Sequence, residues 1–242
     1  MELNRRELQA GDRAVLAYGH WGRPLLVFPA ERGKPWDWEQ NGMIEAIAGL
    51  VQSGRVKVYA LDSFDDWTWA DDTVPLEERA RRHGAYEHWI LDHVVPLVRA
   101  ESDGAEILLT GTSMGAFHAA NFALKRADLF PLALCMSGVY DVSEARGWGE
   151  RGDATYFNNP MDYVANLGGD HLDWLRGRVN LLLVVGQGAW EDSTGAREST
   201  LRFANVLAGK GIRHELDVWG HDVPHDWPAW RAQISHHLPR FV

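Results

Sequence analysis

The sequence has one cysteine, Cys135, and fewer basic residues than acidic ones. A single cysteine excludes an internal disulfide, and the apolar run around it, 132–136, favours a buried structural thiol in a reducing compartment. The 24 lysines and arginines against 34 aspartates and glutamates give a formal net charge of -10 at pH 7. Nucleic acids and anionic membrane surfaces both select a basic face, so we expect neither as a partner.

Long hydrophobic runs are also missing. No apolar stretch is long enough to span a bilayer, and no apolar segment follows the charged N-terminal residues as it would in a signal peptide. We therefore predict a cytoplasmic protein without membrane segments. Because linkers, repeats and low-complexity segments are absent too, we predict one domain over 1–242, and its assembly into a homo-oligomer stays open.

Short apolar, β-branched runs alternate with helical patterns along the chain. Strands are predicted over 13–17, 24–28, 56–61, 106–110, 132–137, 180–185 and 213–218. Helices are predicted over 42–52, 76–99, 114–125, 196–208 and 227–237, and Pro96 should kink or end the second of them. This alternation predicts an α/β fold with a mostly parallel central sheet of about eight strands and helices on both faces.

The segment 139–178 breaks this alternation. Its pattern is irregular, apart from Asn159 and Pro160, which suit the cap and the first position of a short helix. We predict a small cap-like insertion here and no separate lid. The substrate should then bind in an open site at the carboxyl ends of the parallel strands, where ligands collect in such sheets.

The motif Gly111-Thr112-Ser113-Met114-Gly115 follows one predicted strand and opens the helix 114–125. Gly-x-Ser-x-Gly in this setting is typical of a nucleophile elbow, a tight turn that exposes its serine. The free N–H groups and the dipole of the helix N-terminus favour the negative charge formed when an acyl carbonyl is attacked. An ordinary tight turn would also use these residue types, but the flanking strand and helix favour Ser113 as a nucleophile.

A serine nucleophile requires one carboxylate that orients a histidine. The loop after the predicted strand 180–185 contains two adjacent candidates, Glu191 and Asp192. We favour Glu191, with Asp192 as a close alternative. The carboxylate that is not used would cap the helix that follows.

Two histidines, His221 and His225, compete for the role of general base in the loop before the last helix. Histidine suits this role because its unperturbed pKa lies near neutrality. We prefer His225, since Asp226 can cap the helix and Pro228 suits its first turn, which would hold the ring in a defined loop. His221 would then support the turn.

A metal site is the other interpretation of this histidine pair. Four residues apart, His221 and His225 could in principle hold zinc, but Pro224 between them disfavours one shared helical face. We therefore expect no metal and no other cofactor.

An oxyanion hole needs two backbone donors. The N–H of Met114, directly after the nucleophile, should be one of them. The other should come from the loop that follows the strand 24–28. Pro29 has no N–H to donate, so Ala30 and Glu31 both stay open as the second donor.

The 12 tryptophans exceed what a domain of this size usually contains. Trp36 and Trp67 fall in polar loops, and Trp190 lies in the loop that holds the candidate acids. Burial in a core is the more typical fate of a single tryptophan. Together these three predict an aromatic rim that binds substrate.

Several motifs carry a resemblance to a known family: Gly-Thr-Ser-Met-Gly-Ala at 111–116, Ser-Gly-Val-Tyr-Asp at 137–141, Phe-Asn-Asn-Pro at 157–160, Gly-Gln-Gly-Ala-Trp-Glu at 186–191 and His-Asp-Trp-Pro at 225–228. The chain resembles the α/β-hydrolase superfamily and, more narrowly, the esterase group that includes esterase D, feruloyl esterases and mycolyltransferases. The likeness covers nearly the whole chain and is closest to a compact bacterial branch. It implies serine acyl hydrolysis and carries the role of triad base onto His225. The His-Gly pair that is frequent in the oxyanion loop of hydrolases is missing here.

The sequence therefore predicts a serine esterase that acts on a small-molecule ester with a small or aryl acyl group. An acyltransferase would use identical residues. A non-catalytic binding or scaffold protein with a hydrolase-like fold is the alternative from another class, and the unusual oxyanion loop motivates it.

Overall fold

The computed structural model describes residues 3–143 and 147–242, and within them eight strands form one sheet. The strands are β1 (Arg6–Ala10), β2 (Arg13–Tyr18), β3 (Arg23–Phe28), β4 (Val56–Ala60), β5 (Leu108–Thr112), β6 (Leu132–Met136), β7 (Asn180–Val185) and β8 (His214–Val218). Their order is β1-β2-β4-β3-β5-β6-β7-β8, and only the pairs that include β1 or β2 are antiparallel. The predicted mostly parallel sheet is confirmed.

Helices cover both faces of this sheet, as predicted. They are α1 (Asp37–Gln40), α2 (Met43–Ala46), α3 (Ala48–Gln52), α4 (Leu76–Trp89), α5 (Val95–Ala100), α6 (Met114–Lys125), α7 (Asp153–Asn158), α8 (Pro160–Asn166), α9 (Gly169–Arg178), α10 (Ala196–Gly209) and α11 (Trp227–His237). Short 3₁₀ turns span Asp65–Trp67 and Leu238–Arg240. Helices α4, α5, α6, α8, α9 and α10 pack on one face, and α1, α2, α3 and α11 pack on the other.

Side chains that alternate along the strands divide the core between the two faces. In β5, for example, Leu109 packs with the α4–α6 side and Leu108 with the α11 side. This alternation follows from the two-residue period of a strand and explains why the central strands are apolar throughout. Cys135 lies buried in β6, as predicted, and its burial raises the pKa of the thiol.

The helix predicted over 76–99 is divided. Pro96 cannot donate a hydrogen bond to the carbonyl four residues earlier, and the turn before it widens into a π-helix over Ile90–Val94 before α5 continues. The helix predicted over 42–52 is likewise split into α2 and α3. Within the described ranges, no helix combines the length and the apolar character needed to cross a bilayer.

Two further segments differ from the sequence-based prediction. Strand β1 is missing from the predicted set because it lacks an apolar run. It is an edge strand, and its side chains alternate between exposed and half-buried positions up to the buried Ala10. The segment 139–178, predicted to be irregular, contains α7, α8 and α9, with Asn159 and Pro160 at the start of α8 as predicted. Residues 144–146 of this segment lie outside the described residues.

The end of β5 positions the nucleophile. The strand reaches Thr112, two residues beyond the predicted end, because Gly111 and Thr112 pair with Cys135 and Met136 of β6. Ser113 therefore leaves the sheet directly at its carboxyl edge. The loops after β3, β6, β7 and β8 begin at the same edge, since these strands run parallel to β5.

Candidate active site

Ser113 joins β5 to α6 with φ 54° and ψ -120°, a backbone conformation that residues other than glycine rarely adopt. A Cβ atom on Gly111 would lie 2.2 Å from the carbonyl group of Gly115. A Cβ atom on Gly115 would lie 2.3 Å from the carbonyl oxygen of Phe28, at the end of β3. Only glycine permits these approaches, so the motif produces the strained strand-to-helix turn that the sequence predicts.

A chain of hydrogen bonds connects Ser113 to a buried carboxylate. The Oγ atom of Ser113 lies 3.0 Å from Nε2 of His225, and Nδ1 of His225 lies 3.1 Å from Oε2 of Glu191. Glu191 is fully buried, and the His225 side chain is 9% exposed. With the carboxylate accepting the Nδ1–H, Nε2 carries a lone pair that can accept the serine proton.

Asp192 lies outside this chain of hydrogen bonds. Its side chain is 71% exposed and forms an ion pair with Arg197 at 3.3 Å. It also does not cap the next helix, because the residue that precedes α10 is Gly195 in a left-handed conformation. The structure thus brings together Ser113, His225 and Glu191 and directs the neighbouring carboxylate to solvent.

Two further side chains extend the hydrogen bonding beyond Glu191. The hydroxyl of Ser137 donates to Oε1 of Glu191 at 2.6 Å, and Nε1–H of Trp230 donates to the Ser137 hydroxyl at 3.1 Å. The sequence predicted a role for neither residue. The signals were the position of Ser137 at the end of a predicted strand, at the edge where ligands bind, and its place in the motif at 137–141.

Two hydrogen bonds hold the loop in place at His225 and at the residue that follows it. The N–H of His225 donates to the carbonyl of Ala189 at 2.9 Å, which joins this loop to the loop of the acid. Asp226 caps α11 by accepting the N–H of Trp227 at 2.7 Å, as the sequence predicts. His221 lies exposed in the preceding turn. Among the residues that the structure describes, no three histidine, cysteine or acidic side chains are grouped so that they could hold a metal ion.

The predicted oxyanion side of the site consists of backbone. Met114 is the first residue of α6, so its N–H has no partner within the helix. Opposite it, the loop after β3 turns sharply, with the N–H of Gly33 bonded to the carbonyl of Ala30 at 2.9 Å. Ala30 and Glu31 lie in this turn, and both stay candidates for the second donor.

A buried hydrogen-bonded pair of side chains ties this loop to α6. Arg32 has a φ of 57°, and its N–H donates to Oδ2 of Asp65 at 3.1 Å. The other carboxylate oxygen of Asp65 lies 3.2 Å from Nε2 of His118, and both side chains are fully buried. Since His118 is on α6, the pair connects the two elements that would supply the oxyanion donors. No local sequence pattern indicates this long-range contact.

A cavity of about 350 Å³ opens beside Ser113. Its other lining residues come from the start of α6, the loop after β6 and the loop before α10. They are Met114, Val139, Val142, Asp192, Ser193, Thr194 and Gly195. The cavity therefore has an apolar floor, a polar wall and the size of a small-ligand site.

The three tryptophans predicted to bind substrate are not among these lining residues. Trp36, Trp67 and Trp190 are 45%, 37% and 59% exposed. Trp67 packs on Phe64, with ring centroids 5.8 Å apart, and lines a different cavity of about 380 Å³. Trp190 is exposed while the adjacent Glu191 is buried. The predicted aromatic rim does not form the wall of the cavity beside the nucleophile.

Comparison with known proteins gives one family match and several similar folds. Residues 35–241 match the model of a family described as putative esterase. The fold is similar to that of a ferulic acid esterase (17% identity, TM-score 0.71, 98% of this chain and 95% of that one). An S-formylglutathione hydrolase from Agrobacterium tumefaciens gives 14% identity and a TM-score of 0.70 over 98% and 92% of the two chains.

A third similar structure is FphF, a fluorophosphonate-binding serine hydrolase from Staphylococcus aureus, with 15% identity and a TM-score of 0.66 over 98% and 96% of the two chains. At these identities the likenesses show a shared α/β-hydrolase fold. The search among curated proteins finds no match. The family model, in contrast, spans most of the sequence, and the chain therefore belongs to the putative esterase family, a group of carboxylic ester hydrolases.

Proposed function

We propose that the protein hydrolyses esters of small acyl groups through a catalytic triad of Ser113, His225 and Glu191. The observation that carries the proposal is the unbroken chain of hydrogen bonds, 3.0 Å and 3.1 Å long, from the serine to a fully buried carboxylate. The strained turn at the N-terminus of α6 supports it, because this geometry exposes a serine next to free N–H groups.

Acylation would begin with attack of Ser113 Oγ on the ester carbonyl carbon while the serine proton passes to Nε2 of His225. The π electrons of the carbonyl bond move to its oxygen, which the N–H of Met114 and one N–H from the loop after β3 stabilise. Glu191 stabilises the imidazolium. His225 then donates the proton to the leaving alcohol oxygen as the ester C–O bond breaks, and an acyl-serine remains.

Deacylation would repeat these steps with water. His225 takes a proton from the water while the water oxygen attacks the acyl carbon. The proton then passes to Ser113 Oγ as the bond between the acyl carbon and the serine oxygen breaks. The products are the free enzyme and a carboxylic acid. An alcohol in place of water would give acyl transfer with the same residues.

The cavity beside Ser113 supports a small acyl group. Its volume of about 350 Å³ and its floor of Met114, Val139 and Val142 suit a short chain. The predicted tryptophans lie outside its wall, so we favour short aliphatic acyl groups over aryl ones. We expect kcat/KM for p-nitrophenyl esters to be highest for acetate to butyrate and to fall for octanoate.

Fluorophosphonate labelling tests the nucleophile directly. We expect one adduct, located on Ser113 by peptide mass spectrometry, that is lost in Ser113→Ala and in His225→Ala. Ser235→Ala serves as the matched control, because this serine lies exposed on α11. A folded wild-type protein that neither forms the adduct nor cleaves any ester would contradict the proposal and favour a non-catalytic role.

A further inference from the structure

Ser137 occupies an unusual backbone position. It directly follows β6 with a φ of 52°, in the left-handed region that favours glycine, and it is fully buried. Its N–H is bonded to the carbonyl of Val184 at 2.8 Å. Strained residues of this kind cluster at functional sites. Because glycine would fit the backbone better, the serine hydroxyl is the feature that needs a reason.

The hydroxyl acts on the carboxylate that faces His225. It donates to Oε1 of Glu191 at 2.6 Å, and the N–H of Gly186 donates to the same oxygen at 3.2 Å. The other oxygen, Oε2, is left for Nδ1 of His225. Two donors on Oε1 oppose rotation of the carboxylate group, so Oε2 stays directed at the imidazole.

Trp230 orients that hydroxyl from the other side. Its Nε1–H donates to Ser137 Oγ at 3.1 Å, which uses an acceptor site of the hydroxyl and turns its proton toward Glu191. The ring of Trp230 also lies edge-on to the imidazole of His225, with centroids 5.0 Å apart and an interplanar angle of 79°. One side chain on α11 thus contacts both the base and the residue that holds the acid.

We propose that Ser137 and Trp230 are positioning residues, which hold Glu191 and His225 in the relative orientation that activates Ser113. The inference rests on the proposed function. Neither residue lines the cavity beside Ser113, so both act through the triad and not through the substrate. Their removal should therefore lower kcat and leave KM unchanged.

Ser137→Gly is the decisive variant. It removes the hydroxyl and relieves the left-handed backbone, so the fold should be kept. We expect kcat to fall about 10- to 100-fold, which is the effect of losing a hydrogen bond to a charged group. Trp230→Phe keeps an aromatic ring near His225 and removes the N–H donor together with part of the indole ring. We expect it to lower kcat by about 3- to 10-fold.

The pH profile separates positioning from a purely structural role. A carboxylate that is free to rotate stabilises the imidazolium less, so the acidic limb of the kcat/KM profile should move to lower pH in Ser137→Gly. Thr110→Val is the matched control. It deletes another buried hydroxyl, whose hydrogen bond goes to the carbonyl of Leu134 at 2.8 Å, and it should leave the acidic limb and kcat in place.

Two results would overturn the inference. Wild-type kcat in Ser137→Gly would show that the hydroxyl has no part in the reaction. A lower kcat with the acidic limb unmoved or shifted to higher pH would show that it does not orient Glu191. Both results require a wild-type protein that cleaves esters and is labelled at Ser113. If the wild type does neither, the proposed function fails, and the positioning role fails with it.

Discussion

The two sides of the candidate site are built from different parts of the chain. The acid–base side, with Glu191 and His225 on the loops after β7 and β8, is held by side-chain hydrogen bonds that converge on one carboxylate. The oxyanion side, with Met114 and the loop after β3, consists of backbone N–H groups held by a tight turn and by the Asp65 carboxylate. The first therefore depends on which residues are present, and the second depends on how the backbone is bent.

This difference sets what a substitution can reveal. On the acid–base side a change of one functional group removes one role. On the oxyanion side most side chains can change without loss of the donor, and only a residue without an N–H removes it.

The largest effect should come from the two adjacent carboxylates on the acid–base side. Glu191→Gln keeps the shape of the side chain but cannot stabilise the imidazolium, and we expect kcat to fall about 1,000- to 10,000-fold. Asp192→Asn is the matched control, and its kcat should stay within about threefold of wild type, since Asp192 loses an exposed ion pair and contacts no triad atom. Steady-state hydrolysis of p-nitrophenyl acetate measures both. The reverse ranking would reassign the acid to Asp192.

Proline substitutions in the loop after β3 test the oxyanion side. Proline at Ala30 or at Glu31 deletes one N–H at a time, and neither residue has the positive φ that would exclude proline outright. We expect the variant that removes the donor to lose about 100- to 1,000-fold in kcat. The other variant should lose much less, and it serves as the control for the substitution itself.

Thermal unfolding should show that both proline variants remain folded. If both keep wild-type kcat, the second oxyanion donor lies outside this turn, and the oxyanion side extends to other parts of the backbone.

The preference for acyl-chain length should depend on the cavity beside Ser113, which both sides adjoin. Val142→Ala enlarges the floor of the cavity beside Ser113, and we expect the octanoate-to-acetate ratio of kcat/KM to rise about 3- to 10-fold. Trp67→Ala alters the other cavity, which adjoins the loop after β4, and should leave this ratio unchanged. A larger change for Trp67→Ala would restore the aromatic rim as the substrate-binding surface.

The smallest effect on activity should come from a contact that belongs to neither side. Glu77 on α4 accepts the N–H groups of Gly152, Ala154 and Thr155 at the start of α7. Burial opposes its ionisation, but the hydrogen bonds outweigh this and lower the pKa of Glu77. A carboxylate with a lowered pKa stabilises the fold above the unfolded pKa of about 4.3 and loses this contribution as the pH falls through the folded value.

We therefore expect Glu77→Gln to lower the free energy of unfolding by about 1 to 3 kcal/mol at pH 7, with a smaller difference below pH ~4. Urea denaturation at the two pH values measures this. The kcat should change little, because Glu77 contacts no triad atom. A deficit that stays equal at both pH values would show that the charge of Glu77 is not the stabilising feature.

The parts of the site that the sequence could predict are those that short motifs encode. The elbow around Ser113 depends on glycines two residues to either side, and the loop of His225 depends on a capping aspartate directly after it. Such patterns act over a few residues, so they can be predicted from the sequence. The choice between Glu191 and Asp192 could not be settled in this way, because adjacent loop residues differ only in which of them faces inward.

Long-range contacts are the parts that the sequence could not predict. Ser137 reaches Glu191 across 54 positions, and Trp230 reaches Ser137 across 93. Asp65 meets His118 across 53 positions. In each case the residue type suits many roles, and only packing determines its partner. The tryptophans show the same limit. Their number does not reveal which of them are exposed or which cavity each one lines.

The sequence by itself determined the alternation of strands and helices, the strained turn at Ser113 and the loops that bear the candidate acid and base, since periodicity and turn chemistry act locally. The tertiary structure decided which carboxylate is buried against His225, where the cavity opens and how Asp65, Ser137 and Trp230 brace the two sides. The physical reason is that burial and hydrogen bonding between distant segments exist only once the sheet has brought its carboxyl ends to one edge.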